Sequence, residues 1–261
     1  MKEQYINNHF SLKNKTAVII GAGGFLCSEM ARGFAYSGCS VALLDLRINK
    51  VKKVAKDLNK KGYKKIIFHE INAEIKDDHK KALSKIIKKF KKVDILINGA
   101  GINSSSKFFD IHLDEWNAVI SSQLTATFLG CQVFGKHMVR NKKGSIINIS
   151  SASAGPPLSK AFAYSASKAG IKNLTQNLGR EWGKSGVRVN AIRPGFFPTE
   201  WNKKNFITPE RKKSILKHTP MNRYGIPSEL LGAVFWLASD SSKFVTGAEI
   251  AIDGGFSSMS I

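Results

Sequence analysis

The chain has 261 residues, 43% hydrophobic and 23% charged, and its 41 Lys and Arg against 19 Asp and Glu leave a formal charge of +22. That is enough for one α/β domain with a sizeable core, and a second domain is not required. No stretch approaches the roughly 18 to 20 apolar residues of a membrane span, which argues against a membrane protein and makes the cytoplasm the expected location.

Cys27, Cys39 and Cys131 form no CxxC pair and no metal-type spacing against the six scattered histidines, so reduced thiols and no metal are expected. A charge this basic raises the question of nucleic acid. The excess is almost all lysine, spread over residues 50–65, 76–92 and 203–217 with few aromatics between, whereas base-stacking platforms interleave the two. Solvated lysine faces are the simpler reading, and nucleic acid is not expected as a partner.

Short apolar runs alternate with amphipathic segments from residue 16 onward. Strands are predicted over Thr16 to Ile20, Ser40 to Leu44, Lys65 to Ile71, Val93 to Ile97, Ser145 to Ser150, Arg188 to Ile192 and Glu249 to Ile252. Helices are predicted near 26–37, 49–60, 76–91, 114–139, 162–184 and 227–238. The alternation specifies an α/β fold: a single doubly wound Rossmann domain over 1–261, its seven-stranded sheet mainly parallel with helices on both faces. Residues 1–11 form a tail. Residues 196–226, with a helix-like piece at 208–217, follow a strand end as a substrate lid would. The stripe Phe128, Val133 and Phe134 suits either an interface or the core.

After the first strand come Gly21, Ala22, Gly23, Gly24, Phe25, Leu26 and Cys27, opening a helix. Glycines there let the backbone turn tightly and approach a pyrophosphate, whose charge the helix N-terminus stabilises. The second strand ends at Asp45, where a carboxylate would accept the adenosine ribose hydroxyls and repel the extra phosphate of NADP. Arg47 could offset that repulsion; NAD is preferred and NADP is the alternative.

With these residues the chain resembles the short-chain dehydrogenase/reductase family from about Leu12 to Ile261. The signatures run in order: the glycine turn, Asn98-Gly99-Ala100-Gly101, Ser151, Tyr164 with Lys168, Pro194-Gly195 and Asp253-Gly254-Gly255. Ser151 and Tyr164 stand 13 positions apart, as in the family. The resemblance implies that Tyr164 is the acid or base, its phenol made more acidic by the Lys168 ammonium four residues on, while Ser151 stabilises charge on the carbonyl oxygen. It implies cofactor contacts at Gly21, Gly24, Phe25, Leu26, Asp45, Leu46, Asn72, Ala73, Asn98, Ala100, Gly101, Tyr164, Lys168, Pro194, Gly195, Phe197 and Thr199, the last holding the nicotinamide carboxamide. It also implies a homotetramer, formed in part by the helices near 114–139 and 162–184.

Several positions depart from the family pattern. Phe25 and Cys27 stand where glycines are usual, and Gly99 replaces the second asparagine of NNAG. The fourth catalytic position, an asparagine that holds a relay water in the family, falls on Gln123, whose extra methylene could retain, displace or weaken the relay.

The segments Arg193 to Asn202 and His218 to Gly225 look like family members acting on sugar acids such as mannonate or gluconate. Ser153, Asn103, Trp201, Asn202 and His218 are the candidate substrate contacts, with Arg193 or Arg223 available for a carboxylate. The expected function is therefore NAD(P)(H)-dependent interconversion of a secondary alcohol and a ketone on a small, anionic polyhydroxy substrate. One alternative is reduction of 3-oxoacyl thioesters; another is a weakly active cofactor-binding protein with a basic, nucleic-acid-binding surface.

Overall fold

Alternate residues of the central strands enter two separate cores, which is what forces helices onto both sides of the sheet. The computed structural model describes residues 2–205 and 207–259. In β1 (Thr16–Ile20), Ala17 and Ile19 join one cluster while Val18 and Ile20 join the other; in β2 (Ser40–Asp45), Val41 and Leu43 part in the same way from Ala42 and Leu44. With both faces apolar, neither can be left to water, and the period-2 alternation of a half-exposed strand is absent.

The first core is covered by α2 (Phe25–Tyr36), α3 (Ile48–Lys60) and α10 (Leu231–Ala238), through Met30, Phe34, Val54, Leu58 and Leu237. The second is covered by α4 (Lys76–Phe90) and α6 (Ala126–Arg140) through Ile86, Phe134 and Met138, and Leu178 and Trp182 of α7 (Phe162–Trp182) pack against it. On α3 the buried residues are Val51, Val54, Ala55 and Leu58, which leaves its lysines on the outer face.

The remaining strands are β3 (Ile66–Glu70), β4 (Ile95–Asn98), β5 (Gly144–Ile149), β6 (Val187–Pro194) and β7 (Glu249–Ile252). All seven lie parallel in the order β3-β2-β1-β4-β5-β6-β7. The chain thus winds outward from β1 in one direction and from β4 in the other. The loops after those two strands part there, leaving a crevice at the carboxyl edge of the sheet.

Four local features differ from the sequence expectation. The presumed tail is helical, α1 (Lys2–Phe10), with the Tyr5 and His9 rings 4.5 Å apart. The single helix expected over 114–139 is α5 (Leu113–Ile120), a π-type turn at Ser121–Thr125 and then α6; the wider turn absorbs an extra residue without breaking the rod. A short helix, α8 (Glu200–Asn205), precedes α9 (Pro209–Lys217) in the 196–226 segment. Of the apolar stripe, Phe134 and Val133 belong to the core and only Phe128 is substantially exposed, at 43%. Among the described residues no helix is long and apolar enough to cross a membrane, and no group of three His, Cys, Asp or Glu is arranged to hold a metal.

His79 is buried on α4, its Nε2–H donating to the Ala73 carbonyl at 2.7 Å and its ring edge-on to Phe134. Burial holds its pKa below the ordinary 6.5, so as pH falls past that value the unfolded chain takes up the proton first. The stability it confers is complete above pH 6.5 and is lost as pH drops toward the depressed folded value. Urea unfolding at pH 7 and pH 5 should show a smaller acid-side loss in His79→Leu than in the parent; an equal loss would exclude His79 as a source of the acid sensitivity.

Candidate active site

β5 delivers the chain to Ser151, and α7 carries Tyr164 and Lys168 one turn apart on the face toward it. Ser151 is extended (φ −160°, ψ 156°) and caps a short 3-10 turn: its Oγ accepts from the Ser153 N–H at 3.2 Å and lies 3.1 Å from the Ser153 Oγ. Ser153, proposed from sequence as a substrate contact, is 3% exposed and braces Ser151. Lys168 is 4% exposed; its Nζ donates to the Ile149 carbonyl at 2.6 Å and stands 5.4 Å from the centre of the Tyr164 ring.

These positions correct the expectation of an acidified phenol. Burial raises the Tyr164 pKa, only partly offset by the hydrogen bond to Ser151, and burial pushes Lys168 down to about 8, with Cys27 opposing. The ammonium donates to a carbonyl, and among the described residues no hydrogen bond joins it to the phenol oxygen. At neutral pH Tyr164 therefore keeps its proton, the form that can donate to a carbonyl.

Gln123 lies in the π-type turn, 4% exposed. Its Nε2 donates to the Ile102 carbonyl at 2.8 Å, and Oε1 is buried without a partner. The amide fills the space above Gly101 (φ +145°), where a Cβ would come 2.2 Å from the Gln123 Cδ. Its own carbonyl accepts from the Thr127 hydroxyl at 2.7 Å. Gln123 is thus tied to the loop after β4, and among the described residues no hydrogen bond joins it to Lys168.

Across the crevice, Gly21 (φ +82°) brings the first loop so near the second that a Cβ would lie 2.7 Å from the Ala100 nitrogen. Gly24, extended, precedes α2 with no side-chain cap, so the helix presents unsatisfied N–H groups there, the arrangement that binds phosphate. Asp45 is 5% exposed; its Oδ2 accepts from the Gly23 N–H at 2.9 Å and its Oδ1 from the Arg47 N–H at 2.8 Å. Oδ1 also accepts from the Arg47 Nε at 3.4 Å, so Oδ2 is the oxygen that keeps a lone pair for a ribose hydroxyl. Phe25 and Leu46 are exposed at the rim, Leu26 packs partly on the first core, and Asn72 and Ala73 open the turn into α4.

Two expected cofactor contacts have other duties. The Asn98 amide points into the protein, donating to the Asn148 Oδ1 at 2.9 Å, and Asn148 donates in turn to the Thr175 hydroxyl at 2.9 Å, a brace from β4 through β5 to α7. Thr199 caps α8, its Oγ1 accepting from the Asn202 N–H at 3.0 Å and bonded to the Asn202 Oδ1. Gly195 is required by close approach, since a Cβ would meet the Asp253 Cα at 2.7 Å. It joins Pro194, which ends β6, to Phe197, whose ring covers Gly225.

Ser151 and Tyr164 open into a cavity of about 530 Å³ shared with Asn103, Ser105, Lys160, Phe196, Phe197, Asn202 and Arg211. One of the sequence candidates falls elsewhere, and another is not described. His218 lines an adjoining hollow, its ring edge-on to Phe256 at 4.8 Å, and the Trp201 side chain lies outside the described residues. The two arginines nominated for a carboxylate are already paired: Arg193 with Glu249 at 3.3 Å, and Arg223 with both oxygens of Glu229 at 2.9 and 2.6 Å. Lys160 and Arg211 were not anticipated, because no motif marks a lone cation on a polar loop or lid helix.

A family model described as enoyl-(acyl carrier protein) reductase matches residues 24–257. An uncharacterized oxidoreductase of Bacillus subtilis (strain 168), UxuB, is 39% identical over 271 residues, covering 95% of this chain and 96% of its own. The 5-keto-D-gluconate 5-reductase of Escherichia coli (strain K12) is 32% identical over 250 residues, covering 96% of this chain and 98% of its own. A solved structure of a candidate D-mannonate oxidoreductase from Haemophilus influenza with bound NAD superposes with a TM-score of 0.91 at 37% identity, covering 98% of this chain and 99% of that one. The chain belongs to the short-chain dehydrogenase/reductase family.

As a short-chain dehydrogenase/reductase it is an oxidoreductase of CH–OH groups using a nicotinamide dinucleotide, and the open N-terminus of α2 beside the buried Asp45 carboxylate fits that cofactor. Two of its departures from the family pattern prove to be matched. The Cys27 Sγ occupies the space over Gly99, where a Cβ would come within 2.3 Å of it, so the asparagine missing at 99 makes room for the cysteine gained at 27. Burial pushes Cys27 up to about 12, which keeps it a neutral thiol packed between the two loops. Gly99→Asn alone should lower the thermal midpoint by several degrees and weaken NADH binding, and Cys27→Gly should restore both in the double variant. Additive losses would show that the two positions are independent.

Proposed function

We propose that this enzyme interconverts a ketone and a secondary alcohol on a sugar acid or closely related polyhydroxy compound, with NAD(H) as cofactor. The observation that carries the reading is the polar part of the cavity lining: Ser151 and Tyr164 open onto Asn103, Ser104, Ser105 and Asn202, which can meet several hydroxyl groups, facing an apolar part formed by Leu158, Phe196, Phe197, Ile207 and Ile215. Similarity to a reductase of 5-keto-D-gluconate supports it.

Bound nicotinamide supplies or accepts the hydride. In the reductive direction the Ser151 hydroxyl, aimed by Ser153, donates to the ketone oxygen as charge gathers there. Tyr164, protonated at neutral pH, delivers its proton to that oxygen. Lys168, whose Nζ stands 5.4 Å from the centre of the Tyr164 ring, is the group we assign to hold the nicotinamide ribose and return the proton. In place of the family asparagine, Gln123 keeps the loop over the site in shape through Ile102, and its unpartnered Oε1 is available to a relay water. The 196–226 segment, which carries α8 and α9, serves as the lid.

Asp45 decides the nucleotide. A buried carboxylate committed to the glycine turn would meet the 2′-phosphate of NADP directly, and the exposed Arg47 beside it only partly offsets that repulsion. Asp45→Ser should shift the NADPH to NADH ratio of kcat/KM upward by about tenfold or more; an unchanged ratio would remove Asp45 from cofactor choice.

Activity itself is tested by NADH consumption with 5-keto-D-gluconate against a 3-oxoacyl thioester. The sugar acid should be reduced, and Tyr164→Phe should cost roughly 10²- to 10⁴-fold in kcat while NADH still binds. Turnover of the thioester alone, or full activity of the phenylalanine variant, overturns the reading.

A further inference from the structure

The cavity that holds Tyr164 has an electrostatic asymmetry. Lys160 and Arg211 line it, and none of its lining residues is Asp or Glu. Elsewhere in this region positive charge is spent locally: Glu249 holds Arg193 and Glu229 holds Arg223. Arg211 has no carboxylate partner among the described residues.

Its position is set by the lid helix. Thr208 caps α9 by accepting from the Arg211 N–H at 3.2 Å, which fixes the first turn. One turn further, Ile215 is buried and lines the same cavity, and its carbonyl accepts from the Thr219 hydroxyl at 2.8 Å. Residues four apart share a helix face, so the anchoring of Ile215 puts Arg211 on the side of α9 that borders the cavity, where its side chain is still open to solvent. Lys160 reaches the cavity from another element, the left-handed turn (φ 56°) just before α7.

We infer that Arg211 recognises the carboxylate of the substrate, with Lys160 as a second, less directional cation, and that this contact selects a keto acid over the corresponding neutral ketose. The inference rests on the sugar-acid reading and deepens it. A guanidinium can hold a carboxylate with two parallel hydrogen bonds, which fixes where the acid end lies and therefore which carbon is presented to Tyr164. An ammonium attracts the same charge without fixing its orientation.

The test compares 5-keto-D-gluconate with L-sorbose, in which a hydroxymethyl group replaces the carboxylate, using NADH and the parent, Arg211→Gln, Arg211→Lys and Arg223→Gln enzymes. Arg211→Gln should lower kcat/KM for the acid by about 10- to 100-fold, mainly through KM, and change that for L-sorbose by less than about twofold. Arg211→Lys should recover part of the loss, and Arg223→Gln should behave as the parent. An acid-preferring parent that is unmoved by Arg211→Gln, or one that loses both substrates equally, overturns the inference and leaves the sugar-acid reading standing. A parent that reduces only L-sorbose, or neither sugar, overturns both.

Discussion

The site is organised around a cation taken almost entirely out of water. Lys168 is 4% exposed, and the hydrogen bond its ammonium makes to protein goes to one backbone carbonyl, that of Ile149. A buried charge left without a good partner would cost several kcal/mol, so the last residue of β5 and the second turn of α7 have to stay in register. Seven residues on, Thr175 lies on the same helix face and accepts from Asn148, the residue before Ile149. α7 is therefore pinned to two consecutive positions of one strand. That double attachment carries Tyr164, the acid we propose for the reaction, to the carboxyl edge of the sheet beside Ser151.

Pinning of this kind also explains why the crevice tolerates unusual residues. The loops after β1 and β4 meet backbone to backbone at Gly21 and Ala100, leaving so little room that side chains at 27 and 99 compete for the same space. One cysteine and one glycine fill it as a glycine and an asparagine would. Gln123 is accommodated likewise, by a π-type turn that places its amide over the bare α-carbon of Gly101. The longer side chain reaches the Ile102 carbonyl, which couples the π-type turn to the loop over the site.

Much of this was legible in the sequence, for a physical reason. Strands buried on both faces write themselves as continuous apolar runs, and all seven were placed to within about two residues of the observed bounds. That Tyr164 and Lys168 share one face could be read because four-residue spacing on a helix leaves little freedom, whereas Ser151 was reached through the resemblance to the family. Where the outcome depended on distant partners, the reading stopped. The i, i+4 spacing brings Lys168 beneath the Tyr164 ring, but whether the ammonium faces the phenol oxygen or a carbonyl depends on where β5 ends. Arg193 and Arg223 looked available because their carboxylates lie 56 and 6 residues away. The π-type turn at 121–125 was invisible because one extra residue in a turn barely disturbs a 3.6-residue period.

The same distinction bears on the charge of +22. On α3 and α4 the lysines occupy the faces opposite the buried residues, each surrounded by solvent. Their fields decay over about 8 Å at physiological ionic strength, so they can draw anions toward the protein but cannot orient one. Orientation needs a cation that borders a defined volume, and Lys160 and Arg211, although exposed to solvent like those lysines, do so because they line a cavity without acids. Net charge then sets how often an anion arrives. By our proposal these two residues, one of them carried by α9, determine which anion stays and in what attitude it meets Tyr164.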